Sequence, residues 1–266
     1  MVVWWSLGWG CGGGTTDETS DAADTDTDAD TDSDTDTDAD TDSDADQEAY
    51  LRVANVAPEL GPLDVYTDDR PTRVAGPIVV ASGTPFYRVV AGAREVRVVH
   101  AGDPPSSQVA AFEGELAAQG HYSGIAWGPE VAPHLDVVLE DNAGLDANHV
   151  RYTLFVADPL LPRVDVVDTA TATPLGTGLY GERATLPDLE AGARSLGLDL
   201  TLDGGVDCSF VVPNAGGKVV VSLYVLTRDG QVYLLAHDPV GALTPSSPVE
   251  PTCPVPGTPH TGDTGP

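Results

Sequence analysis

The tetrapeptide Ala91-Gly92-Ala93-Arg94 returns one hundred residues later as Ala191-Gly192-Ala193-Arg194, and the residues that follow keep the same phase. Behind the second copy, Leu196, Leu198, Leu200 and Leu202 alternate with Gly197, Asp199, Thr201 and Asp203, which is the two-residue period of a half-buried strand. Behind the first, Val96, Val98 and His100 take the corresponding face, with Glu95 and Arg97 turned outward. Val56-Ala57 and Val156-Ala157 each precede a proline-containing loop, and the strands after those loops read Leu63-Asp64-Val65-Tyr66 and Val164-Asp165-Val166-Val167. Ala118-Gln119-Gly120 and Ala215-Gly216-Gly217 each lead into an apolar strand. Short runs of this kind, with no helical period of useful length, predict an all-β chain of two similar units at 50–145 and 148–241. Seven or eight short strands per unit suit an immunoglobulin-like two-sheet sandwich better than a barrel.

The residues ahead of the repeat cannot fold this way. From Asp24 to Asp46 every second residue is aspartate, separated only by Thr, Ala or Ser. Such a segment repels itself and has nothing apolar to bury, so residues 12–48 read as a disordered stalk. Fully extended it spans at most about 120 Å, against a coil dimension of roughly 35 Å. Carboxylates two apart resemble the start of a calcium loop, but the tract lacks the glycine turn and the closing bidentate acid. Loose calcium association is expected there, and no defined metal site.

Residues 1–11, ending Gly10-Cys11, form an apolar lead before a cysteine and resemble a bacterial lipoprotein signal. In that family the cysteine is lipidated, which makes Cys11 the expected anchor. Leu7 sits one place earlier than in the family's box, and no Lys or Arg precedes it. No run of 18 apolar residues occurs, so a membrane partner would be reached through the lipid.

Charge excludes one large class of partner. The segment before Tyr50 holds 16 of the 42 acidic residues and none of the 12 basic ones, and Lys218 is the single lysine of a chain with net charge −30. Nucleic-acid binding is not expected of such a surface. The histidines at 100, 121, 134, 149, 237 and 260 never show zinc-motif spacing, and His100 reads as a partly buried strand residue. Gly120-His121-Tyr122-Ser123-Gly124 lacks the Gly-x-Ser-x-Gly elbow and its following helix, so no catalytic residue is assigned. Asp64, Asp68, Asp69, Asp165, Asp168, Asp203 and Asp207 read as turn formers, with calcium at 203–207 the sharper alternative. Cys208 and Cys253 are expected to pair in an oxidising compartment. Prolines at 245, 248, 251 and 254 make residues 242–266 a polyproline-like tail.

Arg52-Val53, Pro62-Leu63-Asp64-Val65-Tyr66, Ala91-Gly92 followed by Val96 and Val98, and Gly120-His121-Tyr122 occur in the order seen in the bacterial family called domain of unknown function 4397. The second unit keeps the order but has Val167 in place of the tyrosine. The resemblance implies tandem β-sandwiches on an exported protein, with no established activity. The resulting expectation is a non-enzymatic, lipid-anchored protein of the bacterial envelope or surface, or a secreted one. Its sandwiches would bind a protein or glycan, and no cofactor is expected. The alternatives are a structural spacer without ligand and, third, a hydrolase acting on an exported polymer.

Overall fold

A computed structural model describes residues 47–70, 72–237, 243–245, 247–248 and 253–256. Cys11, the aspartate tract and most of the 242–266 tail lie outside the described residues.

The first repeat runs β1 (Glu48–Asn55), β2 (Leu63–Thr67), β3 (Ala75–Ile78), β4 (Ser82–Gly83), β5 (Tyr87–Val90), β6 (Gly92–His100), β7 (Gln108–Leu116), β8 (His121–Trp127) and β9 (His134–Leu139). The second runs β10 (His149–Val156), β11 (Arg163–Asp168), β12 (Thr173–Leu179), β13 (Arg183–Thr185), β14 (Leu189–Glu190), β15 (Gly192–Asp199), β16 (Cys208–Ala215), β17 (Val219–Arg228) and β18 (Gln231–His237). Two further strands, β19 (Leu243–Pro245) and β20 (Ser247–Pro248), follow.

Each repeat folds into two sheets. In the first, β1, β8 and β9 form one sheet with β4 and β5 on its far edge, and β3-β2-β6-β7 form the other. The second repeats this with β10, β17 and β18 beside β13 and β14, and with β12-β11-β15-β16. The strand count per repeat is nine, above the seven or eight expected. The excess arises because one edge partner is split: Pro85 separates β4 from β5 and Pro187 separates β13 from β14, and a residue without an N–H interrupts a ladder.

The repeated tetrapeptide now has a local cause. Gly92 and Gly192 sit at φ +105° and +145°, a conformation that side chains disfavour, and they turn the chain from an edge of one sheet into the middle of the other. The arginine two residues on fastens the turn: Arg94 Nε donates to the Val90 carbonyl at 2.9 Å, and Arg194 Nη2 to the Glu190 carbonyl at 3.0 Å.

The alternation after Arg194 carries into structure only as far as Leu200. Strand β15 ends at Asp199, and Leu202 is 45% exposed at φ +61° rather than on the buried face. Asp199 accepts the Leu202 and Gly204 N–H groups, and Asp207 accepts those of Leu200 and Thr201. Local carboxylate-to-backbone bonds thus outcompete the ladder that the sequence pattern suggests.

Each sandwich has its own apolar core, one built on Leu51, Val65 and Val98, the other on Leu154, Val166 and Phe210. A third cluster joins them. Ala54, Val56, Ile125 and Trp127 from β1, β8 and the residue after β1 meet Phe155, Ala157, Tyr224 and Leu226 from β10, β17 and the residue after β10. The parallel registers Ala54↔Ile125 and Phe155↔Tyr224 make these the same four positions of each repeat. The sandwiches therefore pack through equivalent sheet faces, as an isologous dimer would, within one chain. β1, β8, β10 and β17 are in consequence covered on both faces.

Candidate functional site

At one end of this joint the loops of both repeats surround a cleft of about 930 Å³. Pro58 and Pro62 from the β1–β2 loop face Pro159 and Leu160 from the equivalent β10–β11 loop, with Pro129 and the β17–β18 turn completing the walls. The walls are held in shape by buried polar ties. Asn55 donates to the carbonyls of Gly61 and Ile78 at 2.8 and 3.0 Å, and Asp158 accepts the Leu160 N–H at 2.8 Å and the Thr227 hydroxyl. Glu59 reaches across to accept the Glu130 N–H at 3.1 Å. Leu160 and Val79 are 64% and 53% exposed on the lip, so the cleft offers rigid apolar surface with a charged margin of Glu59, Arg228 and Asp229. That is the composition of a pre-formed binding site.

A polar seam runs through the middle of the joint. Arg52 is fully buried, with Nη2 2.5 Å from Oε1 of Glu140, whose side chain is 5% exposed. Arg52 Nε also lies 2.8 Å from that oxygen and 3.0 Å from Ser123 Oγ, and the Ser123 hydroxyl donates to Glu140. The guanidinium carbon stands 4.9 Å over the Phe86 ring. The second repeat places Thr153 and Ser222 at the positions of Arg52 and Ser123, with Thr153 Oγ1 3.3 Å from Ser222 Oγ. His237 supplies one link between the sandwiches: its Nε2 lies 2.9 Å from the Thr84 carbonyl. A carbonyl only accepts, so Nε2 carries the proton. Burial, and then the charge of Arg52, push the His237 imidazole down to about 3, while burial pushes the Tyr224 phenol above its ordinary value.

Where the seam reaches solvent, Arg151 Nη2 stands 2.9 Å from Asp188. That hydrogen bond holds the Asp188 carboxyl below, and the Arg151 guanidinium above, their ordinary values.

The residues singled out in the sequence are dispersed. His121 stacks on Tyr50 with ring centroids 4.6 Å apart, and His134 on Trp127 at 4.4 Å. His100 Nδ1 lies 2.9 Å from the Leu60 carbonyl, and His149 Nδ1 3.8 Å from Asp146. Ser123 is committed to Arg52 and Glu140. The turn reading holds for Asp203, which accepts the Gly205 N–H, and for Asp207. Asp168 closes β11 and accepts the Ala170 N–H at 2.9 Å, as a turn former does, whereas Asp64 and Asp165 lie within strands. Asp64, 1% exposed, pairs with Arg73 at 2.9 Å and accepts the Gly102 N–H at 3.1 Å, and Asp168 pairs with Arg194 at 3.0 Å.

Cys208 and Cys253 form a disulfide with Cα atoms 5.5 Å apart, across a sequence separation of 45. Replacing either with serine is expected to lower stability by about 3–4 kcal/mol. Urea unfolding of the variant, compared with the reduced and oxidised parent, checks this. A loss below about 1 kcal/mol would show that the strand pairing holds the C-terminal segment without the bridge.

Arg52, Glu140, Tyr224 and His237 were not legible as a group in the sequence. One signal was present: β17 reads Val-Val-Val-Ser-Leu-Tyr-Val-Leu without alternation, the mark of a strand buried on both faces.

Residues 49–167 match the family model described as "Domain of unknown function (DUF4397)". No curated protein matches the chain. Among solved structures, the Bacillus anthracis TIE protein is similar at 9% identity and a TM-score of 0.22, over 68% of this chain and 34% of that one. The chain thus spans about a third of that protein's length.

Proposed function

We propose that this chain, whose residues 49–167 match the DUF4397 model, is a lipid-anchored bacterial surface protein that holds two fused β-sandwiches away from the membrane to bind a protein or glycan ligand. The observation that carries the binding role is the proline-walled cleft between equivalent loops, whose exposed Leu160 and Val79 are held on tied backbone. Rigid apolar walls lower the ordering cost of association. Export is supported by the Cys208–Cys253 bridge, since disulfides persist in oxidising compartments. The aspartate tract supplies reach, and Cys11 the anchor. Catalysis has no support in the residues brought together here: the acid and the hydroxyl of the seam are bound to a buried arginine.

Two arms test the reading. Metabolic labelling with a fatty-acid analogue, with intact mass of the mature protein, is expected to show acylation at Cys11 that C11A abolishes. An unmodified N-terminus overturns the anchor. Glycan arrays and binding to immobilised surface-protein fractions are expected to give a ligand whose affinity Leu160→Asp lowers about tenfold or more with an unchanged melting temperature. A ligand indifferent to Leu160→Asp removes the cleft from the site.

A further inference from the structure

The two sandwiches differ along one side. In the second, the chain covers its own sheet edges: β19 pairs with β18, setting Pro245 opposite Leu235, and β20 pairs with β16, setting Ser247 opposite Val211. The disulfide fastens this strap, and Val232 and Val255 bond it further to Cys253 and Gly230. The corresponding strands of the first sandwich, β9 and β7, end their sheets, and among the described residues no strand pairs with their outer sides.

Register allows the two sides to be compared residue by residue. Ser123↔Val138 and Ser222↔His237 equate Val138 with His237, and so Asp136 with Leu235. Val96↔Phe112 and Leu196↔Phe210 equate the two phenylalanines, and so Glu113 with Val211. Phe210 is buried in the core that the strap closes. Phe112 is only half-buried, and with Val137 and Val138 it lines an open cavity of about 210 Å³ whose other wall is Phe155, Gly181 and Arg183 of the second sandwich. The same apolar position is thus covered in one repeat and open in the other.

Charge separates the two sides. Where the strapped side has Leu235 and Val211, the open side has Asp136, which accepts the Trp127 indole N–H at 2.7 Å through one oxygen, and the exposed Glu113. Glu113, exposed, also stands directly opposite Glu95 on the β6–β7 ladder, a like-charge pair in which Arg97 lies 3.5 Å from Glu95 and which a further cation beside Glu113 relieves. Arg183, which donates to the Leu139 carbonyl at 3.1 Å, marks where this side ends.

We propose that the β9–β7 side of the first sandwich accepts an extended strand from a partner protein. The strand pairs antiparallel with Asp136–Val138 and crosses to Phe112 and Glu113, as the strap does in the second sandwich. It carries an apolar residue over Phe112 and Val137, and Lys or Arg opposite Asp136 and Glu113. A second copy of this chain is a poor donor, because it has net charge −30 and one lysine. The site is separate from the proline-walled cleft and stands or falls apart from it.

The test uses the full chain and two synthetic peptides. One has the sequence of residues 243–256 with Cys253→Ser. The other adds Pro245→Lys and Ser247→Lys, the positions that the register sets against Asp136 and Glu113. The basic peptide is expected to bind at least about tenfold more tightly than the parent peptide and to slow amide exchange at 112–113 and 136–138. E113Q, at an exposed position, is expected to cut that difference severalfold with melting unchanged. The proposal is overturned by no binding up to millimolar peptide, by equal binding of both peptides, or by protection at residues 58–62 and 158–160 instead. Edge amides already protected in the free chain would show that the chain covers this side itself, and protection that grows with protein concentration would make a second copy the occupant. Either result also overturns it.

Discussion

Removing the Glu140 carboxylate, as Glu140→Ala, is expected to lower the unfolding free energy by about 3–5 kcal/mol. The reason lies in what remains. Arg52 is fully buried between the sandwiches, its guanidinium cannot shed its proton, and Glu140 Oε1 lies 2.5 Å from its Nη2 and 2.8 Å from its Nε. Withdrawing a carboxylate from a buried guanidinium costs far more than an exposed ion pair contributes. The pair is nonetheless not expected to be a large net source of stability, since bringing both charges out of water offsets most of their attraction. The double variant Arg52→Leu with Glu140→Leu should therefore recover most of the loss. Urea unfolding of Glu140→Ala, of Arg52→Leu and of the double variant decides the matter. Single-variant losses under about 1 kcal/mol would mean that the seam admits water and that the ion pair behaves as a surface one.

The buried pair also shows where sequence reasoning stops. The two sandwiches were legible because a strand with one face in a core advertises a two-residue period, as Val96 and Val98 do, and because a turn that needs glycine at positive φ and an arginine to cap it keeps both residues in each copy. The joint between the sandwiches advertises nothing comparable. Arg52 sits between Leu51 and Val53 and looks like the outward member of an alternating strand. Only the packing of β1, β8, β10 and β17 against one another puts that outward face inside. The near-continuous apolar run of β17 records the second burial, but a run alone does not name the surface it meets. The cleft was beyond reach for a related reason: it is made by loops far apart in the sequence, and its proline and aspartate residues look locally like ordinary turns. Leu202 erred in the other direction, because alternation continued in the sequence after Asp199 and Asp207 had already drawn the backbone into a loop.

Acidification is expected to destabilise the protein through His237. The imidazole is buried against the Thr84 carbonyl, with the Tyr224 ring 6.3 Å away and the Arg52 charge near enough to oppose a second cation. Its folded value is depressed from 6.5 to about 3, so between these limits the unfolded chain binds a proton that the folded chain refuses. Stability from this group is complete above about pH 6.5 and falls as the pH drops toward 3. The slope approaches about 1.4 kcal/mol per pH unit, and the loss across the whole window approaches about 5 kcal/mol. Carboxylates paired in the fold begin to titrate near the lower end, so the diagnostic interval is pH 6.5 to 5. His237→Gln keeps an N–H for the Thr84 carbonyl and cannot titrate. Unfolding free energies measured for both proteins over that interval should fall for the parent and stay level for the variant. Parallel curves would show that His237 takes up its proton in the folded state, and that the joint between the sandwiches opens to water at that end.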